Sequence, residues 1–365
     1  MEMQQALISE PPTRSVSKIA QPYSPSWLNR LADRVERLPG PPWAFYLGAW
    51  LALFISYTAV KWLDGTYAAG TLFPFHAVLA GLIVYAAAAS HYLSYVAGKA
   101  LRTFRPLLKG DDALYQDLLY RLTRLPQREA LLAGLTGLTY ATSAIQVLIP
   151  SDFWHQRRMF TSAGWSVAAD YLMSEAMWAM LGVALYNVLH QLRLVSRIYT
   201  RHTNLNLFSM GPLYEFSRVT ARAALAAVLG LYAWFAADPS PLADNADPNF
   251  IGVLLAIGSI ALLAFVQPLL GLHGLLVAEK QRLHEENGRQ FEIASAMMHS
   301  RVSAGELAEV EKLEKALNGL AIERSVLEKL RTWPWEPETA RVVATATLLP
   351  LVLCVLQRAL DRLTF

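Results

Sequence analysis

GTYAAGTLFPFHAVLAGLIVYAAAASHYLSYVAG, Gly65–Gly98, runs for 34 residues without one Asp, Glu, Lys or Arg. An apolar run longer than about 18 residues is a candidate membrane span, because a helix rising ~1.5 Å per residue must cross roughly 30 Å of hydrocarbon. Residues 248–278 form a second uncharged run. The whole chain is 54% hydrophobic and only 17% charged over 365 residues, against roughly 25% charged in a soluble domain. The apolar excess is gathered into segments, so the expected fold class is an all-α, polytopic membrane protein.

Working outward gives seven expected spans: 42–63, 72–98, 129–150, 166–192, 213–237, 249–278 and 338–360. The fifth and seventh have uncharged cores of 15 and 16 residues, 223–237 and 342–357. There Arg218, Arg222, Arg341 and Arg358 must reach the interfaces, as long basic side chains do. Alternate loops carry 27 Lys and Arg on one side and 5 on the other. Basic residues favour the cytoplasmic face, which places the N-terminus inside and the C-terminus outside. The polar start gives no reason to expect a cleavable signal peptide. A single cysteine excludes an intramolecular disulfide and a cysteine-rich zinc site.

Four regions follow. Residues 1–41 are a polar tail and a short helix whose Trp27, Leu28, Leu31, Val35 and Leu38 oppose Arg30, Arg34 and Arg37. That pattern fits a helix lying on the membrane surface and equally a helix packed on protein. Residues 42–278 hold the first six spans, with an interfacial helix at 111–125 marked by Leu114, Leu118, Leu122 and Leu125. Residues 279–332 are charged and periodic, predicting a cytoplasmic, coiled-coil-like helical hairpin. One seam is Leu283, Phe291, Ala294, Met298 and Val302, and the other is Val310, Leu313, Leu317, Leu320 and Leu327. Between them SAGE, Ser303–Glu306, matches a capping box. Residues 333–365 are an elbow, RTWPWEPETARV at 331–342, followed by the last span. Trp333 and Trp335 suit the headgroup layer, Pro334 ends the preceding helix, and Pro337 opens the next one.

Charges inside spans are expensive and mark candidate sites. In the fourth span Tyr171, Glu175, Trp178, Gly182 and Tyr186 recur at helical spacing on one face, with His190 near its inner end. Asp170, one turn from the outer end, is expected to face water. In the seventh span Thr347, Pro350, Cys354 and Gln357 share a face that Asp361 extends, a candidate pore or packing surface. Thr136, Thr139, Ser143 and Gln146 of the third span, and Ala86, Ser90, Ser94 and Gly98 of the second, read as packing faces. The acidic outer loop with Asp244, Asn245 and Asp247 lacks EF-hand spacing and its terminal Glu, so a solvated turn is expected.

No P-loop, GxGxxG, GxSxG or HExxH is present, so a non-enzymatic protein with no cofactor and no metal site is expected. Basic residues cluster at span ends and read as topology determinants and lipid contacts, with no case for nucleic acid.

NLFSMGPLYEFSRVTARAA (206–224), GLHGLLVAEKQRL (271–283) and TWPWEPETARVVATATLLPLVLCVLQRAL (332–360) resemble an uncharacterised group of prokaryotic multi-span membrane proteins. The resemblance implies a prokaryotic cytoplasmic membrane and a hairpin followed by a re-entrant last span. In topology alone the chain is similar to insect chemoreceptor-type seven-helix channels, and shared fold does not carry function. Three functions follow as expectations. They are a membrane scaffold or sensor acting through 279–332, an oligomeric channel with the last span near its pore, and a transporter or lipid-modifying protein using Glu175. The expected partners are the bilayer and either a second copy or a cytoplasmic protein.

Overall fold

The computed structural model describes residues 22–143, 154–155, 157–161, 164–203, 211–237 and 248–363. Ten α-helices are named here: α1 (Trp27–Arg37), α2 (Pro42–Leu63), α3 (Pro74–Phe104), α4 (Asp112–Thr123) and α5 (Gln127–Ser143). They continue with α6 (Trp165–Arg201), α7 (Gly211–Ala237), α8 (Pro248–Ala304), α9 (Leu307–Lys329) and α10 (Pro337–Leu363). A 3-10 turn, Arg105–Leu107, extends α3, and no β-strand occurs among the described residues. Three helices, α2, α3 with its extension and α6, are long and apolar enough to cross a membrane. The other expected spans coincide with helical segments, except that Gln146 and the rest of 144–150 lie outside the described residues.

Local sequence sets the helix ends. Pro42 and Pro74 open α2 and α3, where the missing N–H costs nothing and the fixed φ suits the first turn. Asp111 caps α4 by accepting from the Leu114 amide at 2.9 Å. Helix α1 is packed on protein. The Ser26 amide donates to the Leu125 carbonyl at 2.9 Å, and Asn29 accepts from the Leu125 amide at 2.8 Å while donating to the Thr123 carbonyl at 3.2 Å. Arg124 pairs with Asp33 at 2.6 Å.

The helices share a layered core. Its largest part joins the C-terminal halves of α3 and α6, together with α4, to α7, the middle of α8 and Val343 of α10. At the other end Tyr57, Leu79, Trp154, Met159 and Met177 form a second cluster between α2, α3 and α6. The small-residue face of α3 does pack. Ser90 is buried, its carbonyl accepts from Asn187 at 3.4 Å, and a Cβ on Gly98 would lie 3.0 Å from Thr123 Cγ2. Thr136, Thr139 and Ser143 instead bond back to carbonyls four residues earlier in α5. This is the ordinary way a hydroxyl on an exposed helical face satisfies itself in apolar surroundings.

Helices α5 and α6 approach most closely, through glycine. A Cβ on Gly137 would sit 2.2 Å from the Trp178 carbonyl oxygen, and one on Gly182 would sit 2.5 Å from that of Ala133. Backbone-to-backbone approach of this kind is how helices associate where water supplies no hydrophobic drive.

Helix α8 is continuous for 57 residues, from the bundle into the hairpin, with Pro268 inside it. The hairpin turn corrects the expected capping box. Ser303 belongs to α8 and donates to the His299 carbonyl at 2.9 Å, and Glu306 is the N-cap of α9 with its carboxylate on Arg301 and no side-chain capping bond. Gly305, at φ +76°, closes a Schellman turn, its amide donating to Val302 and that of Glu306 to Arg301, each at 3.1 Å. The glycine ends the first helix this way because it occupies the left-handed region without strain. The α9 seam is as expected, Leu327 being fully buried. Of the expected α8 seam, Phe291 and Val302 are exposed, and the buried position is Asn287.

Replacing Gly137 or Gly182 with Ile should separate α5 from α6. Overpacking of this kind typically costs about 1–3 kcal/mol. The expected outcome is a lower melting temperature in detergent for both variants, with little change for Gly211→Ala, whose Cβ meets nothing within 4 Å.

Candidate functional site

The most strongly constrained polar cluster lies where α2, α3 and α6 meet. Lys61 and Asp170 are completely buried, with Lys61 Nζ 2.6 Å from Asp170 Oδ1 and 2.7 Å from Oδ2. Asp170 also accepts from the Tyr57 hydroxyl and from the Phe160 amide at 2.8 Å. The expectation that Asp170 faces water is therefore corrected. Its helix turns it inward, and Lys61, one turn from the end of α2, supplies the counter-charge that burial demands.

Aromatic rings enclose the pair. Lys61 Nζ lies 5.5 Å from the Tyr57 ring centroid and 5.8 Å from that of Tyr67. Tyr67 stacks on His76, donates to the Arg158 carbonyl at 3.0 Å and contacts His76 Nε2 at 3.3 Å. Burial, and then the Asp170 carboxylate, hold the Tyr67 phenol well above its ordinary pKa, so it stays a neutral donor. A second joint lies beside the first, with the Ser166 amide donating to Asp64 at 3.2 Å and the Ser166 hydroxyl 2.8 Å from that of Thr66.

The stripe on α6 is divided among different neighbours. Tyr171 packs its ring on Phe160 at 4.8 Å. Glu175 is half-buried and accepts from the Thr142 hydroxyl at 3.3 Å, which ties α6 to α5. Trp178 meets Tyr140 edge-on at 4.7 Å. Tyr186 and His190 lie in the C-terminal half of the helix and line a cavity of about 530 Å³ with Tyr23, Arg121, Arg128 and Glu129. Glu175 thus stands apart from both, about three and four helical turns away on α6.

The elbow is clamped onto the bundle. Trp333 stacks on His273 at 3.8 Å and 7°, and on Trp335 at 4.3 Å. His273 Nδ1 is 3.0 Å from the Thr332 carbonyl, Lys280 donates to the carbonyls of Glu328 and Leu330, and Pro334 is buried. Arg218 of α7 bridges Glu215 and Glu336, each at 2.6 Å. Pro337 opens α10 with Glu338 in its first turn. Of the expected face on α10, Thr347 is buried and its hydroxyl has no partner among the described residues, while the side chains of Cys354, Gln357 and Asp361 lie outside the described residues.

Lys61 and Asp170 are the residues that reading by segments missed. The available signal was a lone Lys late in one apolar segment and a lone Asp early in another. Among the described residues no group of three or more His, Cys, Asp or Glu side chains is placed to hold a metal ion. Compared with known protein families, curated proteins and solved structures, the chain matches none.

Removing one partner of the buried pair leaves an uncompensated charge, which typically costs about 3–5 kcal/mol. Lys61→Met and Asp170→Asn should each lower the melting temperature sharply, and the double variant should recover part of the loss. A double-mutant cycle in detergent measures the coupling directly.

Proposed function

We propose that this chain is a multi-pass membrane scaffold whose α8–α9 hairpin docks an amphipathic helix of a cytoplasmic partner. The bundle crosses the membrane as seven spans, N-terminus inside and C-terminus outside, as the 27-to-5 division of Lys and Arg favours. The observation that carries the reading is apolar surface left uncovered on a segment too polar to lie in lipid. Of its 51 residues, 279–329, 18 are charged, yet Ile293, Met297, Val302 and Ile322 are each at least half exposed. Ile293 and Met297, four residues apart, share one face of α8, and an exposed apolar pair of this kind is what a helix-on-helix contact uses. The clamp at the elbow supports the same reading, because it fixes the direction in which the hairpin leaves the bundle.

A second reading, an oligomeric channel with α10 near its pore, is favoured by the short covalent route from α9 through the elbow to α10. The two differ in what the purified chain does alone, since a channel conducts in liposomes and a scaffold does not.

Ile293→Ser together with Ile322→Ser should leave stability within about 0.5 kcal/mol, as surface substitutions do. In-cell crosslinking from a photoreactive residue at Met297 should yield one discrete adduct in the wild type that the double variant loses. An adduct pattern unchanged by those substitutions and by deletion of 284–330 would refute the scaffold reading.

A further inference from the structure

A cavity opens beside Tyr186 and His190 in the C-terminal half of α6. It is about 530 Å³, within the roughly 300–1,000 Å³ range of small-ligand sites. Its wall comes from three separate parts of the chain: the segment before α1, the α4–α5 junction and α6. Arg121 and Arg128 contribute two guanidinium groups, and Glu129 is the one carboxylate of the lining. Asp117 holds Arg121 through Nε alone, at 2.8 and 3.0 Å.

His190 Nε2 lies 2.9 Å from the Arg121 carbonyl. A carbonyl only accepts, so Nε2 carries the hydrogen and fixes the ring against α4. The Tyr186 ring packs against His190 at 5.8 Å. Two guanidinium groups and a phenol on one concave wall form a surface selective for an oxyanion with several acceptor oxygens.

We propose that this cavity binds a phosphate group, with Arg121 and Arg128 as its principal contacts and Tyr186 and His190 as the wall that orients it. Two sources share that chemistry: the phosphodiester of an anionic lipid headgroup, and a soluble phosphate. Tyr186 and His190 lie near the inner end of the expected span 166–192, which puts the headgroup level within reach. Only the choice of source rests on the membrane reading.

The test uses the full chain in neutral maltoside micelles. Phosphatidylglycerol, phosphatidylcholine or inorganic phosphate is added, and binding is read by native mass spectrometry and by the shift in melting temperature. Retention of phosphatidylglycerol over phosphatidylcholine supports the site with a lipid source. An equal shift from inorganic phosphate alone supports the site with a soluble source. Arg128→Gln should weaken either by about tenfold, the worth of one charge-assisted hydrogen bond. Tyr186→Phe, which removes no hydrogen bond of the fold, should reduce headgroup discrimination without changing the unliganded melting temperature. Equal retention of both lipids by the wild type, with no response to inorganic phosphate, would overturn the proposal without recourse to any variant. So would undiminished binding by Arg128→Gln.

Discussion

A polar group drawn into an apolar bundle must find its partner inside it, and the pairing of Lys61 with Asp170 is where that constraint is tightest. Both ions have left water completely. The cost of doing so is recovered only because the ammonium, a phenol and a backbone amide converge on one carboxylate. The convergence has geometric consequences. The end of α2, the start of α6 and the Phe160 turn have to be held in fixed relation, and His76 and Tyr67 fill the space that this relation leaves. Such a pair contributes specificity of arrangement more than net stability.

Two other devices repeat the logic with weaker means. Glycine lets α5 and α6 touch backbone to backbone, so that Glu175 and Thr142 fall within hydrogen-bond reach. At the elbow, Arg218 and Lys280 satisfy groups that the end of α9 and the start of α10 would otherwise leave bare. At the elbow the connection between consecutive helices is thus fastened to α7 and α8. The chain therefore reads as a set of joints, and the functional surfaces lie between them.

The helices were legible in the sequence because apolar periodicity and proline punctuation are local signals. Pro42, Pro74 and Pro337 mark helix starts, and Val310 through Leu327 repeats as the hairpin seam. What escaped were relations between segments. Asp170 looked solvent-facing because nothing near it in sequence neutralises it, and its partner is 109 residues away. The Ser303–Glu306 motif had the right letters for a capping box, but Gly305 between them satisfied the end of α8 first. The stripe from Tyr171 to His190 was a true helical face, yet a helix as long as α6 passes several neighbours, so one face became separate environments. Trp333 and Trp335 suit lipid anchors by composition, and their stacking on His273 and Phe265 adds a contact that composition does not reveal.

The unbroken course of α8 has a mechanical meaning. At ~1.5 Å per residue a helix of 57 residues is roughly 85 Å long. Pro268 cannot donate to the carbonyl four residues earlier, so the rod is softest there, well inside the bundle. From that point to the tip is about 54 Å at the same rise. A bend of only about 10° would sweep the tip through roughly 9 Å, while displacing side chains next to the proline by a fraction of that. The hairpin thus works as the long arm of a lever, and the stacked rings at the elbow are the brake on its swing.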